Sequence, residues 1–188
     1  EPFIRKAAGF GSASTKHDKE RYEHKYEYCD LLVTGSGPSG LASAYSAAKN
    51  GAKVILAEDK PRFGGSLLTS EANIGNQSGK EWAEKIISEL QEMPNVTVKN
   101  RSQVFGYYDH NMLVMSERIS DHLPETKKFT PKQRLWYIRA KEVAISSGSI
   151  ERPIVFGNND TPGVFLSAAA KEYMKVYGVL IGKKPIIF

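Results

Sequence analysis

Six residues, Gly35-Ser36-Gly37-Pro38-Ser39-Gly40, carry the first chemical signal in this chain. Their Gly-x-Gly-x-x-Gly spacing follows an apolar run and precedes an alanine-rich stretch, the strand–turn–helix setting that holds the pyrophosphate of a dinucleotide. Gly35 suits the tight turn, Gly37 lets backbone approach phosphate with no β-carbon in the way, and Gly40 lets helix and strand pack closely. The helix N-terminus adds free N–H groups and partial positive charge. Glu58 stands 18 positions beyond Gly40. At the end of a second strand its carboxylate can accept from ribose hydroxyls and repel a 2′-phosphate, which favours NAD or FAD over NADP.

Two further segments extend the candidate set. Gly64, Gly65 and Ser66 follow the acid, and paired glycines let backbone approach a ligand or another loop. The run Val143-Ala144-Ile145-Ser146-Ser147-Gly148 reads as a strand whose Ser147 and Gly148 pass near the dinucleotide at the sheet's carboxyl edge. Asp59 is included as Glu58's neighbour, although strand alternation points its side chain elsewhere. No catalytic residue is assigned: the chain has no Ser/His/Asp set at readable spacing and no Cys-x-x-Cys. Tyr107, Tyr108 and His110 read as structural residues of a hairpin. Four histidines at no ligand spacing and the single Cys29 supply no metal site and no internal disulfide.

These residues need elements to position them. Residues 30–34 read as a first strand, Ala42–Asn50 as a helix ended by Gly51, and 52–58 as a second strand, completing a βαβ unit. Gly79–Met93 places Trp82, Ile86, Ile87 and Leu90 on one helical face, and 95–98 is a short third strand. Two strand-like runs flank Asp109-His110-Asn111, a hairpin turn, and 118–133 is a loop. Residues 134–141 then form a hairpin-type strand, followed by a separate apolar strand at 143–146. Ser167–Tyr177 reads as a helix with a serine cap, closed by Gly178. The expected fold is α/β, a Rossmann-like FAD/NAD-binding sheet of parallel strands with an antiparallel insertion at about 101–141, incomplete at its C-terminus. Residues 1–28, charged and poor in aliphatics, read as an arm, 29–180 as the dinucleotide-binding domain, and 181–188 as the start of a further segment. The chain opens on Glu1 and closes on a strand-like run, so a piece of a longer protein is expected.

With 40% hydrophobic and 25% charged residues the composition is that of an ordinary globular domain. No apolar run reaches membrane-spanning length and no signal peptide opens the chain, so a cytoplasmic protein without a membrane partner is expected. The net charge of +5 is concentrated at 127–141, where six cations and no acid alternate with Phe129, Trp136 and Tyr137. That pattern occurs on single-strand nucleic-acid surfaces. Because it runs directly into a strand of the sheet, no nucleic-acid partner is assigned.

Beyond the glycine motifs, "EPFIRKAAGFG", "RLWYIRAKEVAISSGSIERPIVFGNNDTPGVF" and "GVLIGKKPIIF" together resemble the alpha subunit of heterotetrameric sarcosine oxidase. The resemblance implies one part of an oxidoreductase that converts sarcosine to glycine, forming hydrogen peroxide and passing a one-carbon unit to tetrahydrofolate. It implies NAD at Gly35, Gly37, Gly40, Glu58 and Gly65, other subunits as partners, and a catalytic centre outside this chain. The glycine fingerprint reads only the shared ADP half, so FAD stays open as the alternative dinucleotide. A stand-alone flavoprotein, a non-catalytic assembly module and a related amine or opine oxidase subunit also stay open.

Overall fold

In the computed structural model, which describes residues 2–9, 11, 14–184, 186 and 187, the apolar run before the glycine turn is the tail of a much longer strand. A short helix α1 (Pro2–Ala7) precedes β1 (Tyr22–Thr34). Residues 22–28 are therefore strand, where the sequence placed them in an arm. Few aliphatics did not prevent pairing, because other cross-strand contacts replace aliphatic burial. Tyr26 stacks on Tyr137 at 5.0 Å, and Arg134 meets Glu23 at 2.9 Å.

Next come α2 (Pro38–Lys49), β2 (Val54–Ala57), the two-residue strands β3 (Asn73–Ile74) and β4 (Gln77–Ser78), α3 (Gly79–Glu92) and β5 (Val96–Lys99). β6 (Ser102–Tyr108), β7 (Met112–Arg118), β8 (Gln133–Ile145) and α4 (Ser167–Lys175) complete the chain. One six-stranded sheet runs in the order β5-β2-β1-β8-β7-β6. β5, β2, β1 and β8 are parallel, whereas β7 and β6 are antiparallel additions beyond β8.

β8 corrects the expectation of two strands. It is continuous from Gln133 to Ile145, parallel to β1 along its length and antiparallel to β7 through Arg139. Its polar residues do not interrupt it: Arg134 meets Glu23 and Glu117, Lys141 meets Asp30, and Arg139 donates to the His110 carbonyl. The excursion therefore ends inside a strand of the main sheet. β5 and β6, at opposite ends of the strand order, are joined by only Asn100 and Arg101, so the sheet must curl. Ser102 N–H donates to the Glu58 carbonyl at 2.7 Å.

The curl creates two cores. One lies under α2 and α3 and contains Val33, Leu41, Ala44, Val54, Leu56 and Leu90. The other fills the opposite face, where Leu32, Ile55 and Ala57 meet Leu113, Met115 and Ile138. α3 starts with the reciprocal Ser78–Glu81 capping box and buries Ala83, Ile86, Ile87 and Leu90, with Trp82 partly buried beside them. In α4 the cap differs from expectation. Ser167 is the first helical residue, and the remote Glu151 accepts from its hydroxyl (2.5 Å) and from Ala168 N–H (2.8 Å). No strand forms among the described residues of 182–188. Pro185 and Phe188, part of that expected strand, lie outside the described residues.

Candidate dinucleotide-binding site

Register brings the signature segments together. Thr34 of β1 pairs with Ala57 of β2 on one side and with Ile145 of β8 on the other. The three strands end level, so Gly35, Glu58 and Ser146 meet at one carboxyl edge, where open α/β sheets bind ligands. Gly35 N–H donates to the Ala57 carbonyl at 2.7 Å and Ser146 N–H to the Thr34 carbonyl at 2.8 Å.

Each glycine has a separate steric reason. A β-carbon on Gly35 would stand 2.3 Å from the Ser146 carbonyl oxygen, and one on Gly40 would stand 1.9 Å from the Gly35 carbonyl oxygen. Those two glycines let β8 and α2 close onto the turn. A β-carbon on Gly37 would meet nothing within 4 Å, so the space above it is open. On Gly65 it would come 2.9 Å from the Gly37 α-carbon, which shows how closely the doublet abuts the turn. Gly37 caps α2 without a side chain and Pro38 opens the helix. The first-turn N–H groups therefore lack helical partners and face the mouth of the site.

Glu58 is buried, 6% exposed. Its Oε2 accepts from Ser36 N–H at 2.9 Å and from the Ser36 hydroxyl at 2.5 Å, and Oε1 accepts from Lys60 N–H at 3.0 Å. Burial pushes the Glu58 carboxyl above its ordinary range and the Asp59 carboxyl beside it adds to that, against the opposing pull of the Ser36 and Lys60 hydrogen bonds. Asp59 is exposed, yet its carboxyl lies within hydrogen-bonding reach of Glu58 rather than on the opposite face, since the chain has left β2 and is turning. Ser36 also receives Gly64 N–H, 3.1 Å from both its carbonyl oxygen and its hydroxyl.

The other expected residues sit around this centre. Ser39 and Ser66 are exposed at the starts of α2 and of the 3₁₀ turn Gly65–Leu68. Ser147 lies against Gly35, with its α-carbon 3.3 Å from where a Gly35 β-carbon would be, and the exposed Gly148 follows it. Sequence reasoning did not single out the Ser146 carbonyl, and it counted Ser36 among the residues of the cofactor turn without foreseeing that its hydroxyl is spent on Glu58 and Gly64. A hydroxyl at the first variable position of the motif was the available signal for Ser36.

Tyr107, Tyr108 and His110 lie far from this edge. Arg139, which donates to the His110 carbonyl at 2.9 Å, precedes Ile145 by six strand residues, about 20 Å. Three of the six cations in the basic stretch meet acids from elsewhere in the chain: Lys132 meets Glu20, Arg134 meets Glu23 and Glu117, and Lys141 meets Asp30. Among the described residues no group of three or more His, Cys, Asp or Glu could hold a metal ion, and no helix is long and apolar enough to cross a membrane.

The open α-carbon of Gly37, the unpartnered helix mouth and an acid with acceptor capacity fit the ADP half of a dinucleotide. The chain is 44% identical over 188 residues to the sarcosine oxidase alpha subunit of Rhizobium meliloti, covering all of this chain and 19% of that protein. It is 25% identical to an opine oxidase subunit from Agrobacterium tumefaciens, over 86% of this chain and 33% of that one. It therefore spans about a fifth to a third of the length of these relatives. The structure of L-proline dehydrogenase from P. horikoshii shares the fold at TM-score 0.68 and 24% identity, over 89% of this chain and 32% of that chain. The profile of FAD dependent oxidoreductases matches residues 30–132, which contain the glycine turn, Glu58 and the glycine doublet. The chain belongs to the FAD dependent oxidoreductase family.

Proposed function

We propose that this chain is the dinucleotide-binding part of an amine-oxidising complex of the sarcosine oxidase kind, and that it holds NAD by its ADP half. The observation that carries the reading is the convergence of Gly37, the α2 mouth and Glu58 at one sheet edge. The N–H groups of α2 would neutralise pyrophosphate charge, Glu58 would accept from ribose hydroxyls, and Ser147-Gly148 would border the path away from the ADP half. When bound, the dinucleotide supplies two-electron redox chemistry at its far end. A FAD in the same cradle is the second reading, favoured by the family match over residues 30–132.

The likeness to the sarcosine oxidase alpha subunit supports an N-methylated amino acid as the substrate class of the whole complex. Conversion of sarcosine to glycine, with peroxide formation and one-carbon transfer to tetrahydrofolate, belongs to the same proposal. So do partner subunits carrying the reacting centre and a cytoplasmic setting. Calorimetric titration of the purified chain with NAD, NADP and FAD, together with its absorption spectrum, tests the assignment. A colourless protein that binds NAD more tightly than NADP is expected. A yellow protein retaining a flavin would move the assignment to FAD, and no affinity for any dinucleotide would reject the site.

A further inference from the structure

Ser36 commits its whole hydroxyl inside the protein. It is fully buried, donates to Glu58 Oε2 at 2.5 Å and accepts from Gly64 N–H at 3.1 Å, while its backbone N–H reaches the same Oε2 at 2.9 Å. One residue of the glycine turn thus ties down two other segments of the cradle, the acid after β2 and the glycine doublet. A carboxylate offers about four acceptor positions, two on each oxygen. Oε2 receives two donors from Ser36 and Oε1 the Lys60 N–H at 3.0 Å, and the Asp59 carboxyl lies within hydrogen-bonding reach of the Glu58 carboxyl.

We propose that Ser36 is a positioning residue for dinucleotide recognition, its hydroxyl fixing the Glu58 carboxylate so that Oε1 is left as the acceptor for the ribose hydroxyls. The inference rests on the dinucleotide reading of the site. Without the hydroxyl, Oε2 keeps one donor, the carboxylate can rotate, and Gly64 N–H retains only the Ser36 carbonyl. The charged groups nearby do not replace it. The Asp59 carboxyl hydrogen-bonds with that of Glu58 and favours its protonated form, the Lys60 ammonium is held by Glu172 of α4 at 2.8 Å, and the Lys99 ammonium is held by Glu117 at 3.0 Å. Losing the hydroxyl therefore also favours protonated Glu58, which accepts poorly.

The test is calorimetric titration with ADP-ribose, the half shared by NAD and FAD, as a function of pH, with folding checked by thermal melting. Ser36→Ala is expected to weaken binding about tenfold, the cost of one hydrogen bond to a charged group. The pH below which affinity falls should move upward. Ser36→Cys, which fills the space with a poor donor, should behave alike and serves if the alanine variant does not fold. In a Glu58→Gln background, either Ser36 change should add less than about twofold, because both changes break one interaction. If the Ser36 variants bind as the wild type does, or if their losses add fully to that of Glu58→Gln, the positioning role is refuted while the site stands. If the folded wild type does not bind ADP-ribose, the dinucleotide reading fails and takes this inference with it.

Discussion

Two glycines of one motif should fail in opposite ways when a methyl group is added. In Gly40→Ala the new β-carbon would stand 1.9 Å from the Gly35 carbonyl oxygen. An ordinary carbon–oxygen contact of about 3.3 Å requires α2 and the turn to separate by about 1.4 Å. That helix sends Leu41, Ala44 and Ala48 into the core, so separation loosens their packing against Val33 and Leu56. Overpacking of this kind costs about 1–3 kcal/mol, and each kcal/mol lowers the melting temperature by roughly 2–4 °C at this chain length. Gly37→Ala meets no atom within 4 Å, and Gly37 sits at φ −66° and ψ −177°, which alanine adopts freely. Its stability should stay within about 0.5 kcal/mol of wild type, while the methyl fills the space through which a pyrophosphate must approach. The pair is resolved by urea denaturation and by calorimetry with ADP-ribose. The expected pattern is a destabilised Gly40→Ala and a stable Gly37→Ala that binds at least tenfold more weakly, about 1.4 kcal/mol. If Gly40→Ala is as stable as wild type, or Gly37→Ala binds normally, the division of roles is wrong.

Glu117 on β7 gathers donors from Trp136 Nε1 at 2.7 Å, Lys99 Nζ at 3.0 Å and Arg134 Nη1 at 3.1 Å. Glu117→Gln should cost about 2–3 kcal/mol in urea denaturation at neutral pH. Burial pushes this carboxyl up, but Trp136, Lys99 and Arg134 outweigh it and hold it below the ordinary value of 4.5. A folded-state value below the unfolded one means the contribution is present above 4.5 and lost as pH falls through the folded value. The gap between wild type and variant should shrink on acidification, and a gap that stays constant would refute the ionic account. Cys29 is fully buried and its thiol is pushed up to about 12 by that burial. A disulfide thiol reagent at neutral pH should leave it unmodified in the folded chain and label it in denaturant; rapid labelling of the native protein would contradict its packing.

How much could be read beforehand depended on how local each feature is. The glycine turn, the acid after β2, the α3 stripe and the Asp109–Asn111 turn rest on neighbours within a few residues, where glycine sterics and apolar periodicity leave few alternatives. The start of β1 was hidden because Tyr22–Tyr28 lack the aliphatic signature. Their order comes from stacking and ion pairs with β8, more than 100 residues away. β8 was divided for a similar reason: its charged positions look like a break until partners such as Asp30 for Lys141 and the His110 carbonyl for Arg139 are known.

By itself the sequence determined a dinucleotide turn between a buried strand and an alanine-rich helix, with an acid and a glycine doublet spaced to serve it. Only the tertiary structure decided how those pieces meet. Thr34, Ala57 and Ile145 end level because of parallel register, which no short segment encodes. That register sets Ser36 against Glu58, 22 residues on, and Gly64, 28 residues on. A serine inside a glycine loop has no visible partner in the chain order. It becomes the link between three segments because backbone pairing places one buried acid and one free N–H within reach of its hydroxyl.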